Sequence, residues 1–438
     1  MTPWSDSVKP SWKNGLKKGG CILLLGAVSV ALLLYAHGTR RIAAQDLSFH
    51  TESSLARFFP QSWALKGNLA QLMDLDTERA VDHFRRSVAL QPLHMDAWLA
   101  LARAEAALGN RESAWRVMDL VAEPLGEVST WKWQEFLLAY ETRDSERLAS
   151  SFNFVLTRLP RRTFEASYLA AQFWGGWDGV LPHLARESRP VFMGQLMRQR
   201  EVGAALALWK TMEREQDRAG KPVDERLRLR ACNFFLGNGH VREAKKIWRK
   251  WEGYGGNAVH NGDFTREVLN TAFGWRLPRP PTGVQVERTL RQPYTGTHCL
   301  HLHFRGSENV NFHHVRQIIP VEPGATCTLR FARKSRGLST DQGVFLEVLG
   351  HGCRGLRVQS TPVLGTSMWT REELEFTVPE DCETILLRVR RQESLRFDNK
   401  IVGDYWLDSV ELHIKEKNAD LHTRTGDADL NPSGMMQR

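Results

Sequence analysis

Five histidines fall within eighteen residues in the stretch HCLHLHFRGSENVNFHHV, from His298 to Val315. Imidazoles can ligate a transition metal, carry protons, or stack and hydrogen-bond against a sugar or a partner. Spacing decides among these. In an extended strand alternate residues share a face, so Leu300, Leu302 and Phe304 point to a core while Cys299, His301 and His303 point away. His313 and His314 are consecutive and must diverge, so only one could join the first pair. A metal site needs three or four ligands converging at bonding distance. The pattern instead describes a sheet face carrying histidines, with contact to a sugar or a partner as its functional use.

Other chemistry is sparse. HExxH, GxSxG, Walker-type glycine loops and the dinucleotide fingerprint are absent from the sequence. Glu372 and Glu373 are adjacent, and neighbouring strand residues point apart, so they cannot flank one substrate. The expectation is a non-catalytic protein, with a glycan-acting hydrolase or transferase as the alternative. The formal charge of +9 comes with interspersed acids and no dense basic block, which argues against nucleic acid. The nearest basic strip is LLRVRRQESLR (Leu386 to Arg396), where Arg388 and Arg390 share a strand face. It reads as a solvated face or as an anion contact for acidic sugars.

The elements behind these residues change along the chain. LPRPPTG (Leu277 to Gly283) ends any helix. From there to Lys415, about nine short alternating segments separated by Gly, Pro, Asn or Asp predict an all-β sandwich over 261–415. Residues 55–254 read as successive amphipathic helices. Two copies of a pattern recur there, with Ala80 and Ala114 offset by 34 positions.

Two resemblances follow. The helical stretch resembles the tetratricopeptide family through WALKGNLAQLMDLDTERAVDHFRRSVALQP (Trp63 to Pro92) and AWLALARAEAALGNRESAWRVMDLVAEP (Ala97 to Pro124). A third, degenerate copy lies at Arg228 to Trp251. The resemblance implies a superhelix that binds a protein partner, with Gly67, Ala80, Ala102 and Ala114 as close-approach positions and Trp131 and Trp133 as groove or inter-helix residues. The C-terminal part resembles jelly-roll carbohydrate-binding modules. NGDF (Asn261 to Phe264), FGW (Phe273 to Trp275), the Gly296 to Phe304 strand, QIIPVEPGATCTLRF from Gln317 and WLDSVEL from Trp406 carry that likeness. It implies glycan contact by Trp275, His301, His303, Phe345 and Trp369, with a core role as the alternative for each of Trp275, Trp369 and Phe345, and a core role rather than contact favoured for Phe345 and Trp406. It also implies a structural calcium at Asp263 and Asp408, although Thr265 stands where the family has an acidic residue. The architecture is similar to that of bacterial surface-polysaccharide machinery, which implies an envelope scaffold in exopolysaccharide synthesis or export.

The N-terminus adds a targeting expectation. CILLLGAVSVALLLYA (Cys21 to Ala36) predicts a transmembrane helix over 19–37, with a cleaved signal peptide as the competing reading. Lys9, Lys13, Lys17 and Lys18 precede it and place residues 1–18 in the cytoplasm. The expectation is a single-pass bacterial inner-membrane protein with a periplasmic bulk. Cys232, Cys299, Cys327, Cys353 and Cys382 would then meet an oxidising compartment, with up to two disulfides in the C-terminal third and pairing open. Residues 416–438 lack apolar periodicity and read as a disordered tail.

Overall fold

The computed structural model describes residues 12–125, 128–219, 223–252 and 257–415. The chain divides into two compact units, residues 1–209 and 210–438.

Unit one begins with α1 (Trp12–Ala43) and corrects an expectation. Among the described residues no helix is long and apolar enough to cross a membrane, so a transmembrane helix over 19–37 is not shown. The uncharged run of α1 lies between Lys18 and Arg40. Its far end is taken up by protein contacts: Tyr35 stacks on Phe59 at 5.5 Å. Gly38 is buried where a Cβ would strike the same ring. The inner-membrane, single-pass placement with a periplasmic bulk rested on that span and falls with it. Residues 1–11 of the expected cytoplasmic tail and all of 416–438 lie outside the described residues.

After the short α2 (Leu47–Glu52), helices pack in successive pairs. They are α3 (Pro60–Leu72) with α4 (Thr77–Leu90), α5 (Met95–Ala107) with α6 (Arg111–Leu125), and α7 (Ser129–Glu141) with α8 (Ser145–Arg158). The second helices of these pairs start 34 residues apart, at Thr77, Arg111 and Ser145. Asp76 and Asp144 cap two of them by accepting from the backbone N–H of Arg79 and Arg147, each at 3.0 Å. Small residues set the close approach: a Cβ on Gly67 would lie 2.5 Å from the Phe84 ring. Ala80, Ala102 and Ala114 are fully buried, and Trp131 and Trp133 are buried too, so neither tryptophan offers an open groove contact. The helices α9 (Thr163–Phe173), α10 (Trp177–Val180) and α11 (Arg189–Gln199) pack around Phe152 and Phe192, and α12 (Val202–Ala219) carries the chain on.

Unit two opens with α13 (Glu225–Gly237) and α14 (Val241–Glu252), followed by strands. These are β1 (Val284–Thr289), β2 (Cys299–Arg305), β3 (Arg316–Pro320), β4 (Thr326–Leu338), β5 (Phe345–Gly350), β6 (Arg357–Gln359), β7 (Gly365–Thr377), β8 (Thr384–Arg390) and β9 (Val402–Lys415). They form a five-stranded antiparallel sheet ordered β1-β2-β9-β4-β7 and a four-stranded one ordered β3-β8-β5-β6. Alternation assigns the faces. Leu300, Leu302, Tyr405 and Leu407 from one sheet and Leu346, Val348, Leu387 and Val389 from the other fill a common core. This is a β-sandwich.

The last helical pair is bound to the strands. Lys245 of α14 donates to the Val321 carbonyl at 2.8 Å, Arg249 pairs with Glu322 at 2.7 Å, and Arg242 pairs with Glu383 at 2.7 Å. Trp248 lies edge-on to Phe273 at 5.7 Å. The compositional break near residue 255 is therefore not a packing boundary. At one end of the sandwich, fully buried Arg391 donates to the Val310, Gln342 and Asn399 carbonyls and to Asn309, tying three loops together.

Candidate functional site

Strand register brings the chemistry-bearing side chains together on the outer face of the five-stranded sheet. β1, β2, β9 and β4 place Glu287, His301, Trp406 and Lys334 in one row across the sheet. The adjacent row holds Gln285, His303, Asp404 and Arg336. The centre is Asp404. His301 Nε2 and His303 Nδ1 lie 2.9 and 2.8 Å from its Oδ1, and Arg336 donates to Oδ2 at 2.7 Å. Burial pushes the Asp404 carboxyl up, but the hydrogen bonds from Arg336, His303 and His301 outweigh it and leave the pKa below the usual aspartate value.

Trp406 is buried beneath this network, the core role expected of it as an alternative. His301 stacks on it at 4.8 Å with the rings 13° from parallel, and Lys334 and Arg336 lie 5.5 and 5.6 Å from its ring centre. The face continues onto the β1–β2 loop. Lys334 donates to the Gln292 side chain at 2.6 Å, and Trp369 of β7 donates its indole N–H to the Gln292 carbonyl at 3.2 Å. Tyr294, partly exposed, sits 5.6 Å from Trp369. The arrangement offers flat aromatic surface edged by fixed donors and acceptors.

Asp408 explains how that loop is held. It is fully buried, and its Oδ2 accepts from the backbone N–H of Tyr294 at 2.7 Å and of Thr295 at 3.1 Å, while Oδ1 accepts from Ser409 N–H at 2.6 Å. Burial raises its pKa above the ordinary aspartate value against those three donors, and nearby Asp263 adds to the rise. The structural calcium expected at Asp263 and Asp408 does not fit this chemistry. Three N–H groups already occupy the Asp408 oxygens, and both Asp263 oxygens accept from the Thr265 hydroxyl at 3.0 and 2.9 Å. Backbone dipoles stand where a cation would have to sit.

His301, His303 and Trp369 thus come together on one continuous surface. Two other expected glycan residues are corrected. Trp275 is fully buried in the sandwich core, 5.3 Å from Phe264, because its segment runs beneath the strands. Phe345 lies on the other sheet, opposite Arg390, and is buried there, so no ring face is open. Asp404, Arg336, Lys334, Gln292 and Tyr294 were not singled out in the sequence. The alternation in GDYWLDS sets Asp404, Trp406 and Asp408 on one side of β9 and signals the first of them; the long-range pairing of β9 with β2 and β4 has no local signal.

The cysteines resolve into one bridge, Cys353 to Cys382, with Cys232, Cys299 and Cys327 free and buried among the described residues. Burial pushes the Cys299 thiol up to about 12, so it is inert despite its outward-facing position. Asp381 lies beside the bridged pair, but the disulfide takes both sulfurs from metal ligation.

No protein-family model matches the chain, and no curated protein matches it. Solved structures do. The enzymatically active domain of bacteriophage CBA120 tailspike protein 4 is 17% identical over 36% of this chain and 22% of that one, with a TM-score of 0.27. A structure described as CBM4 is 16% identical over 36% of this chain and 99% of the other, with a TM-score of 0.26. The CBM22-1 xylan-binding domain of Paenibacillus barcinonensis Xyn10C is 16% identical over 32% of this chain and 85% of that domain, with a TM-score of 0.23. The solved structures to which the C-terminal β region is similar thus include carbohydrate-binding modules.

Proposed function

We propose that the β-sandwich is a non-catalytic glycan-binding module, linked to tetratricopeptide-like helical pairs that engage a protein partner, as a scaffold in exopolysaccharide handling. The observation that carries the glycan reading is the surface around Asp404. A buried carboxylate fixes two imidazoles and a guanidinium beside Trp406, and the Tyr294–Trp369 pair extends it with aromatic surface. Sugars are held by this combination, with apolar ring faces on aromatics and hydroxyls on preset polar groups.

A hydrolytic reading has less support. Glycosidases place two carboxyl groups about 5 to 10 Å apart across open space. Here the two carboxylates of the cluster, Glu287 and Asp404, are bridged by His301, which lies 3.2 Å from the first and 2.9 Å from the second. For the partner reading, α9 exposes Phe164 and Tyr168 one turn apart. The test is a neutral-glycan array with the full chain. Retention that is weakened several-fold in Trp369→Ala and in His303→Ala, without turnover of the bound glycan, supports the proposal. Retention unaffected by both changes, or release of shortened sugars, overturns it.

A further inference from the structure

Arginines crowd the outer face of the four-stranded sheet, on the other side of the sandwich from His301 and Trp406. Arg316 of β3 pairs with Arg388 of β8, and Arg388 pairs with Glu347 of β5, so the three lie in line across neighbouring strands about 4.8 Å apart. Two residues along β8, Arg390 shares the face, and Arg357 of β6 reaches in from the sheet edge.

Glu347 is fully buried and accepts from Arg388 at 2.6 Å and from Arg357 at 2.9 Å. Arg390 is held by Asn311 and by the Phe312 and Arg391 carbonyls, and Arg316 is exposed. Neither has a carboxylate partner among the described residues. Four guanidinium groups thus face one paired carboxylate, with Glu393 acting on Arg390 only as a minor opposing charge. His313 registers the same excess: burial first, then Arg388, Arg390 and Arg316, hold its pKa below the usual imidazole value.

The next row on this face is apolar. Ile318, Leu386 and Leu349 pair across β3, β8 and β5 and are half-buried. Guanidiniums beside a flat aliphatic strip suit a ligand with an anionic edge and an apolar face. We propose that this surface binds an acidic polysaccharide, a uronic-acid chain whose carboxylates meet Arg316, Arg388 and Arg390 while its ring C–H faces rest on Ile318, Leu386 and Leu349. Single-stranded nucleic acid fits less well, because its bases need exposed aromatic platforms and Phe345 is buried. The site uses different strands from the Asp404 surface and stands or falls separately from it.

Affinity electrophoresis of the full chain through polygalacturonate tests this, with fully methyl-esterified polymer, neutral galactan and single-stranded DNA as comparators. The expected result is retardation by polygalacturonate that esterification abolishes. Arg316→Gln, an exposed change that leaves the Glu347 pairs intact, weakens it about tenfold, the scale of one charge-assisted contact. Arg316→Glu weakens it further, and Trp369→Ala leaves it unchanged. Equal retardation by the esterified polymer, tighter binding of DNA, or full binding by Arg316→Glu overturns the assignment.

Discussion

The two outer faces of the sandwich use one device to different ends. Each surrounds a buried acidic side chain, Asp404 on the five-stranded sheet and Glu347 on the four-stranded sheet, with cations or imidazoles. Around Asp404 the partners are two histidines and one arginine, with Glu287 on the far side of His301, so charge is close to balance, and the open aromatic surface beside it belongs to Tyr294 and Trp369. Around Glu347 the arginines outnumber the acid and aliphatic residues line the strip beside them. A buried carboxylate can thus either close a polar network or serve as a pedestal that aims surplus positive charge outward.

The largest expected effect separates these roles. Glu347→Gln leaves Arg357 and Arg388 facing each other over a neutral group, and should cost about 3 to 5 kcal/mol in denaturant unfolding, the scale of a broken buried pair. A loss under about 1 kcal/mol would mean that the pedestal is dispensable. Asp404→Asn should cost about 1 to 3 kcal/mol, since the amide keeps the shape and part of the hydrogen bonding. Binding by the Asp404 surface should respond on a smaller scale: Trp369→Ala removes one half of an aromatic pair and should weaken neutral-glycan retention several-fold, about 0.5 to 1.5 kcal/mol. An unchanged midpoint on the array would place the sugar elsewhere.

Acid titration sharpens the comparison within β9. The folded-state pKa of Asp404 is lowered, so its contribution is present above the ordinary aspartate range and disappears as pH falls through the folded value, below about pH 4. That of Asp408 is raised, so its contribution is greatest at low pH and disappears as pH rises through the folded value. Stability measured from pH 6 downward should therefore fall less steeply in Asp404→Asn than in the parent, and more steeply in Asp408→Asn. Matching slopes in both variants would show that neither aspartate is coupled to folding.

Local pattern reveals some of this arrangement and not the rest. The strict alternation in CLHLHFR separates core leucines from outward histidines without any structure, and the 34-residue offset of Ala80 and Ala114 extends to the starts of three helices. The rest depends on long-range register. Whether His301 meets Trp406 or another residue is decided by pairing β2 with β9, over a hundred positions away. Trp275 was expected as a sugar platform because an aromatic near a loop and an aromatic under a sheet look alike in sequence. Asp408 was expected as a calcium ligand from the module resemblance, and two of the N–H groups that occupy it instead belong to a loop more than a hundred residues earlier. An apolar run flanked by basic residues suggested a membrane span, and among the described residues no helix is long and apolar enough to be one.

The grip of α14 on the strands determines where this chain can be cut. Removing everything before Asn261 would strip Lys245 from the Val321 carbonyl, leave Glu322 and Glu383 without their basic partners, and uncover the side of Phe273 that Trp248 shields. A fragment trimmed at the glycine-rich stretch would carry an artificial sticky patch of its own making. One that begins ahead of Asp224, the residue capping α13, keeps the seam closed.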